Sequence, residues 1–424
     1  MEGVPSLMSA FKDLLIRRSQ SLLSSCKISN QSVPPRGIFG IVNLNGLHIG
    51  DHLLFEESLF RLLPKFCLQD YNVSKQAFVA LMLLNHPSSD IIGSSKLPHR
   101  LANTIGRSGT PSLCTSKNSG NFRNIPSLKT AINPTTVVLG LSGKPQTVIE
   151  DTVGSSEPIF LIRRYTGGGT VLVDKRAVIC SLILPHCLTG VKPYPKDVME
   201  WTYNEFYSHQ LYNPLFKSTF CLHESDYALH EFSPSNGETN CLNKQYRKVG
   251  GNAQAFSRHY VVHHTSFLWD TNTEDMERIL PTPSKQPKYR VGRRHSEFLT
   301  SIREALVDDT IQTPLEFMHA LNKHAHLVIS ALNKRNEYAE QLDSSPILWD
   351  TYNFDVQEDS VSGFSWSMSQ GSDSKICISL DDCRELVSEL LHGSVKHLRS
   401  TFFMNRCGER LPDICFTPFS RLLS

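Results

Sequence analysis

The sequence predicts an α/β (α+β) fold, and three observations carry that prediction. Apolar, β-branched runs that read as strands recur at 37–47, 134–140 and 177–184. Two of them are followed by amphipathic helical patterns, at 51–63 and 196–211. Within this alternation stand two polar, glycine-rich blocks, RRYTGGGTVLVD at 163–174 and KVGGNAQ at 248–254.

Composition sets loose bounds. A chain of 424 residues with 40% hydrophobic content can form one large domain with added segments, or two domains. The net charge of +2, from 43 basic and 41 acidic residues, gives no global electrostatic case for nucleic acid. The 11 cysteines are an odd number without a C-x-x-C pair, which fits free thiols in a reducing compartment. Phe78–Leu84 is the longest apolar run and is far shorter than the roughly 18 residues a membrane span needs, so a soluble protein is expected.

Residues 1–36 carry Lys12, Arg17, Arg18, Lys27 and Arg36 against Glu2 and Asp13, with Leu7, Met8, Phe11, Leu14 and Leu15 at helical spacing. Such a serine-rich segment fits a mitochondrial transit peptide and equally a frayed terminal helix. After the strand at 37–47, Asp51 stands as an N-cap. Leu53, Leu54, Leu59, Leu62 and Leu63 then form an apolar stripe, which places Glu56, Glu57 and Arg61 on the solvent side. Residues 65–130 are rich in Ser, Asn, Gly and basic residues, and no Asp or Glu occurs between Ile91 and Ile149. A connection of that length without periodicity is expected to be a disordered insert, with a functional excursion as the alternative, and no strand is evident ahead of Pro134.

Past the apolar strand at 177–184, the helix at 196–211 has Val198, Trp201, Phe206 and Leu211 as core positions. Residues 220–229 lead through a loop at 230–246 into Arg247-Lys248, a hairpin that aims Lys248 at a pocket. Thr313–Leu332 has the apolar stripe of a packed helix, 334–375 is acidic and serine-rich like a linker, and 376–397 reads as a last strand and helix.

The two blocks define chemistry. Three consecutive glycines expose main-chain N–H groups to a ligand, and the neighbouring arginines supply positive charge, as a phosphate or an acyl-adenylate requires. No G-K-[ST] follows the glycines, so this is not a Walker-type loop.

With Val191–Pro195, His263–Asp270, Pro287–Arg290 and His295–Leu299, the blocks resemble the lipoate-protein ligase A branch of the biotin/lipoate protein ligase superfamily, in its eukaryotic subgroup. The resemblance covers 131–302 and a piece at 37–63. It implies a mixed central sheet flanked by helices, in a catalytic domain at 37–302 that carries the 65–130 insert. An N-terminal extension at 1–36 and a C-terminal extension at 303–424 flank it. It further implies activation of lipoate or octanoate by ATP, with Mg2+, as an acyl-adenylate. The acyl group then passes to a lysine on lipoyl domains of 2-oxoacid dehydrogenase E2 subunits and on the glycine cleavage H protein, in mitochondria. Neither nucleic acid nor a membrane is an expected partner.

By that resemblance Lys248 is catalytic, its ammonium stabilising charge on the α-phosphate. Arg164, Thr166, Gly167, Gly168, Gly169, Thr170, Val171 and Leu172 line the acyl-adenylate site together with Gly251, Asn252 and Ala253. Asp226 orients Lys248 or helps to hold Mg2+, or is a strand-end surface residue. Ser225 and Val173 depart from the family pattern. Cys221 supports a rival reaction, acyl transfer through a thioester without ATP, for which His223 two residues along could lower the thiol pKa. A core cysteine, and a non-catalytic paralogue, are the remaining alternatives.

Overall fold

The computed structural model describes residues 36–69, 78–87, 135–150, 159–208, 218–231, 245–307, 311–340, 347–357, 365–369, 376–379 and 388–410. The segment at 1–35, most of the 65–130 insert and the 232–244 loop lie outside them.

The strands are β1 (Arg36–Asn43), β2 (Phe78–Asn85), β3 (Thr136–Leu139), β4 (Phe160–Arg163), β5 (Val171–Val173), β6 (Ala177–Pro185), β7 (Thr219–His223), β8 (Asp226–Glu231), β9 (Gln245–Phe256), β10 (Tyr260–Leu268), β11 (Leu348–Gln357), β12 (Ser365–Ser369), β13 (Ile376–Ser379) and β14 (Phe402–Met404). Among the described residues, ten of them form one sheet in the order β13-β12-β11-β1-β2-β6-β10-β9-β8-β7. A smaller sheet runs β14-β4-β3-β5. Strand β1 pairs parallel with β2 and β11, whereas β2, β6, β10, β9, β8 and β7 follow one another antiparallel, so the sheet is mixed as expected.

Alternation along each central strand splits the core into two layers. Ile38 and Val42 of β1, Leu81 and Leu83 of β2, Ile183 and Val262 face helix α1 (Ile49–Gln69) through Leu54, Phe55, Leu59 and Leu63. Phe39, Ala80, Met82, Cys180, Leu182 and Val261 face the other side. There they meet helix α2 (Pro195–Thr202), with Val198 and Trp201, and helix α3 (Pro314–Glu340), with Phe317, Leu321 and Ile329. The small sheet closes over one end through Val137, Leu139 and Leu172 against Met276, Ile279 and Phe298.

Four expectations are corrected. The 65–130 segment does contain a strand: its apolar run at 78–84 is β2, buried between β1 and β6, because an all-apolar strand fits a sheet covered on both faces. The C-terminal residues are not an appendage. β11 adds to the main sheet beside β1 and β14 adds to the small one, so part of the segment expected to be a 334–375 linker is sheet and helix. Helix α1 starts at Ile49 and its N-cap is His48, whose Nδ1 accepts from the Gly50 N–H at 3.1 Å, leaving Asp51 inside the helix. Glu56 and Glu57, expected on the solvent side, are fully buried, since α1 is covered by the sheet on one side and by β14 and its approach on the other.

Candidate functional site

The turn between β4 and β5 carries the glycine block. Gly167, Gly168 and Gly169 are exposed, and Gly167 and Gly169 have open space where a Cβ would stand. Gly168 has φ +91°, a left-handed conformation that glycine adopts without strain, and Gly140 at the end of β3 must also lack a side chain. A Cβ on Gly140 would overlap the Gly168 carbonyl oxygen. The loop is stitched down by Leu141 N–H to the Thr166 carbonyl (3.0 Å) and Gly167 N–H to the Gln254 carbonyl (3.3 Å).

Arg164 fastens this loop from within. Its Nε donates to Thr166 Oγ1 (2.9 Å), Nη1 to the Val138 carbonyl (3.3 Å), and Nη2 to the carbonyls of Gly167 (2.7 Å) and Gly169 (2.8 Å). The side chain is buried, and burial pulls its pKa down to about 10 while Glu56 opposes that shift. Expected as part of the ligand-lining set, Arg164 spends its donors on the loop that the ligand would meet.

Beneath it lies a polar network that the sequence reading missed. Glu56 Oε1 accepts from the Tyr165 hydroxyl (2.7 Å) and lies 3.1 Å from His264 Nδ1, and His264 Nε2 reaches Thr166 Oγ1 at 3.4 Å. Burial alone would raise the Glu56 pKa, but His264 and His52 hold it well below the usual carboxylate range. Glu57 accepts from the Ser400 and Thr401 N–H groups (2.9 Å each), and the Tyr165 N–H donates to Thr401 Oγ1 (3.2 Å). The C-terminal segment is thereby tied behind the glycine loop.

The second half of the site is built on β8, β9 and β10. Asp226 pairs with Gly251 but Ala228 with Lys248, so one extra residue is accommodated in β9, a bulge that re-aims the lysine. Lys248 Nζ lies 2.6 Å from Asp226 Oδ1, and a Cβ on Gly251 would stand 3.2 Å from that nitrogen. Tyr289 donates its hydroxyl to Asp226 Oδ2 (3.0 Å); burial, then Asp226, raises the Tyr289 pKa, so the phenol stays a donor. Asn252 donates to the Ser225 carbonyl (3.1 Å) and accepts from Thr265 Oγ1 (2.8 Å), so it is the Ser225 backbone that meets this amide. Ala253 lies under Gly168, 3.4 Å from where a Cβ on Gly168 would stand. Two residues, about 7 Å of strand, thus separate the lysine ammonium from the floor of the glycine loop.

Of the residues the sequence proposed, Lys248, Asp226, Gly251, Asn252, Ala253, Gly167, Gly168 and Gly169 come together. Thr166 is buried under the loop, Thr170 is half-exposed beside it, and Val171 and Leu172 belong to β5 with the Leu172 side chain in the core. Val173 is likewise a core residue. His264 supports the loop from below. His263 points to the opposite face, where Gln254 Nε2 lies 2.8 Å from its Nδ1, so the two histidines are not a metal pair. Cys221 stands apart in chemistry: its thiol donates to the Ala228 carbonyl (3.5 Å), and burial pushes its pKa up to about 11. His223 instead stacks on Tyr246 at 3.9 Å, with its edge toward Tyr289.

Among the described residues no group of three or more His, Cys, Asp and Glu side chains is placed to hold a metal ion. Both Asp226 oxygens already have partners, so the protein alone does not present a magnesium cage; at most this one carboxylate joins ligands that a nucleotide brings.

A mixed sheet flanked by helices, an exposed glycine loop and a lysine held by Asp226 on β9 make up an α+β domain with one polar site. The chain belongs to the lipoyl protein ligase A/B catalytic-domain family, whose model matches residues 113–326, half of its length. It is 40% identical over 225 residues to a Plasmodium falciparum (isolate 3D7) protein named inactive lipoate–protein ligase 2. That match covers 49% of this chain and 57% of the relative, so the chain spans little more than half of that protein's length. Among solved structures, a bi-partite lipoate protein ligase with its E2 lipoyl domain from Thermoplasma acidophilum aligns with a TM-score of 0.44 at 13% identity, over 90% of this chain and 100% of that one. A lipoate-protein ligase A bound with ATP aligns with a TM-score of 0.41 at 14% identity, over 85% and 96%.

Proposed function

We propose that this chain is a lipoate-protein ligase that activates lipoate or octanoate with ATP and passes the acyl group to a lysine of a lipoyl domain. The observation that carries this reading is Lys248, held at 2.6 Å by Asp226 beside Gly251, two residues along β9 from Ala253, on which Gly168 of the glycine loop rests. In the first half-reaction a carboxylate oxygen of the acid attacks the α-phosphorus, the acyl-adenylate forms and pyrophosphate leaves. Lys248 stabilises the charge that gathers on the α-phosphate oxygens, while Asp226 and Tyr289 keep the ammonium in place. The exposed glycine backbone receives the adenylate, whose phosphate brings Mg2+ as its counter-ion. In the second half-reaction the lysine nitrogen attacks the acyl carbon and AMP leaves; the amine must arrive neutral, whereas a free one, with pKa near 10.4, is neutral only about once in 2,500 at pH 7. Lipoyl domains of 2-oxoacid dehydrogenase E2 subunits and the glycine cleavage H protein, in mitochondria, are the proposed acceptors.

Two further readings each have an observation behind them. The name of the Plasmodium falciparum relative favours a paralogue that binds without completing the reaction. A thioester route would run through Cys221, but a nucleophilic thiol needs a lowered pKa, and burial moves this one up to about 11. Lipoate-dependent exchange of pyrophosphate into ATP separates the three. Exchange in the wild type and in Cys221→Ala, but not in Lys248→Ala, is expected of the ligase. An acyl-thioester on Cys221 without exchange would make it a transferase, and neither signal would make it a binding protein.

A further inference from the structure

Arg290 lies at the edge of this site and the mechanism above leaves it unused. It follows Tyr289 in a turn that closes on itself: Arg290 Nε donates to the Arg293 carbonyl (2.9 Å) and Arg293 Nε to the Arg290 carbonyl (3.1 Å). Arg293 Nη2 adds bonds to the carbonyls of Tyr246 (3.0 Å) and Tyr289 (2.8 Å), and Glu224 accepts from the Lys288 and Tyr289 N–H groups (3.1 Å each). The turn is therefore fixed to the β7–β8 hairpin that presents Asp226. Its reversal is made at Val291, which has φ +51°, a left-handed conformation that a β-branched residue adopts at a cost, and which is 82% exposed.

The reversal leaves Val291 outside and sends Arg290 inside. Arg290 is 4% exposed, its guanidinium carbon lies 4.8 Å from the Phe298 ring centroid, and its buried Nη2 has no hydrogen-bond partner. Leu299, next to Phe298, bridges to Lys248, and the Thr300 N–H donates to the Lys248 carbonyl (3.0 Å). His295 lies in the fields of both Arg290 and Lys248 and is pushed down to about 4, chiefly by burial and then by Arg290. Burial and Arg293 lower the Arg290 pKa, with Tyr289 and Asp226 opposing. A buried guanidinium with an unused donor is costly unless an anion completes it.

We infer that Arg290 is the second cation of the site and binds a phosphate oxygen of the departing pyrophosphate. This rests on the ligase reading above. As the bond from the α-phosphorus to its bridging oxygen breaks, the electron pair leaves with pyrophosphate, and Lys248 and Arg290 would then serve the two sides of that bond. A guanidinium suits this position because its planar donors match phosphate oxygens in pairs.

The test is calorimetric binding of inorganic pyrophosphate and, separately, octanoate to the full chain in the wild type, Arg290→Gln and Arg290→Lys. Pyrophosphate should bind the wild type and weaken roughly tenfold to hundredfold in Arg290→Gln, with a smaller loss in Arg290→Lys and octanoate affinity held within about twofold. No binding of pyrophosphate by the wild type would overturn the inference, as would equal affinity in the variants or a parallel loss of octanoate. If Arg290→Gln does not fold, Arg290→Lys decides alone, a loss of about threefold or more supporting the assignment and wild-type affinity refuting it. Failure of the ligase reading looks different: Arg290-dependent pyrophosphate binding would persist in a protein that shows no lipoate-dependent exchange.

Discussion

The two halves of the site place their positive charge on opposite terms. In the glycine half, Arg164 is buried and donates four hydrogen bonds to the protein itself, shaping a loop whose backbone faces outward. In the lysine half, Lys248 is a quarter exposed with one carboxylate partner, and Arg290 keeps an unused donor. Arg164 is therefore a framework residue of the glycine block, whereas Lys248 on β9 keeps its ammonium partly exposed.

Exchanging the two cations separates these roles most sharply. Arg164→Met should cost about 3 kcal/mol or more of folding stability, because it leaves buried carbonyls without donors and takes a cation away from buried Glu56. Lys248→Met should leave stability within about 1 kcal/mol yet lower pyrophosphate exchange on the order of 10²–10³-fold. Denaturant unfolding beside exchange kinetics reads both, and a stable Arg164→Met would dissolve the distinction.

Acid should act on the support of the lysine half. His263 is fully buried on the opposite face of β10 and its pKa is pushed down to about 3, by burial and then by His264. The unfolded chain takes up a proton near pH 6.5 that the folded one refuses until about pH 3, so stability is intact above 6.5 and is lost as pH falls through that window. The loss should reach a few kcal/mol at pH 4, and His263→Gln should flatten the slope; depressed Glu56 adds a further loss below its ordinary value of 4.5. A melting temperature that is flat from pH 7 to 4 would contradict this assignment.

A smaller effect is expected at Gly140. Gly140→Ala forces the Gly168 carbonyl to move, and a displacement of about 1 Å can cost up to 10²-fold in rate, here with only a modest fall in melting temperature. The least effect belongs to Cys221→Ala, which should leave exchange within about twofold, because a partly buried thiol that donates to a carbonyl contributes packing and one weak hydrogen bond.

The ligand-facing features were legible because they need particular residue types. Gly167–Gly169 and the Lys248–Ala253 run announce exposed backbone and an ammonium on a strand. The supports were not legible, since their meaning depends on what covers them. Glu56 and Glu57 look like the wet side of α1, although the run HLLFEESLFRLL around them is apolar on nearly every side, which marks a helix covered all round. β2 was hidden because its neighbours in sequence are polar, and Arg290 because an inward turn at a valine with positive φ breaks the usual preference for glycine. The bulge at Lys248 and the pairing of β14 with β4 depend on partners distant in sequence, which no local pattern specifies.

That last pairing bears on the order in which the molecule can be completed. Tyr165 and Thr401, joined through one hydrogen bond, are 236 residues apart in the chain. Strand β4 therefore waits, with one edge unpaired, until nearly the whole described sequence has left the ribosome. During that interval a growing chain would present the edge of the ligand loop's own sheet to chaperones or to neighbouring nascent chains.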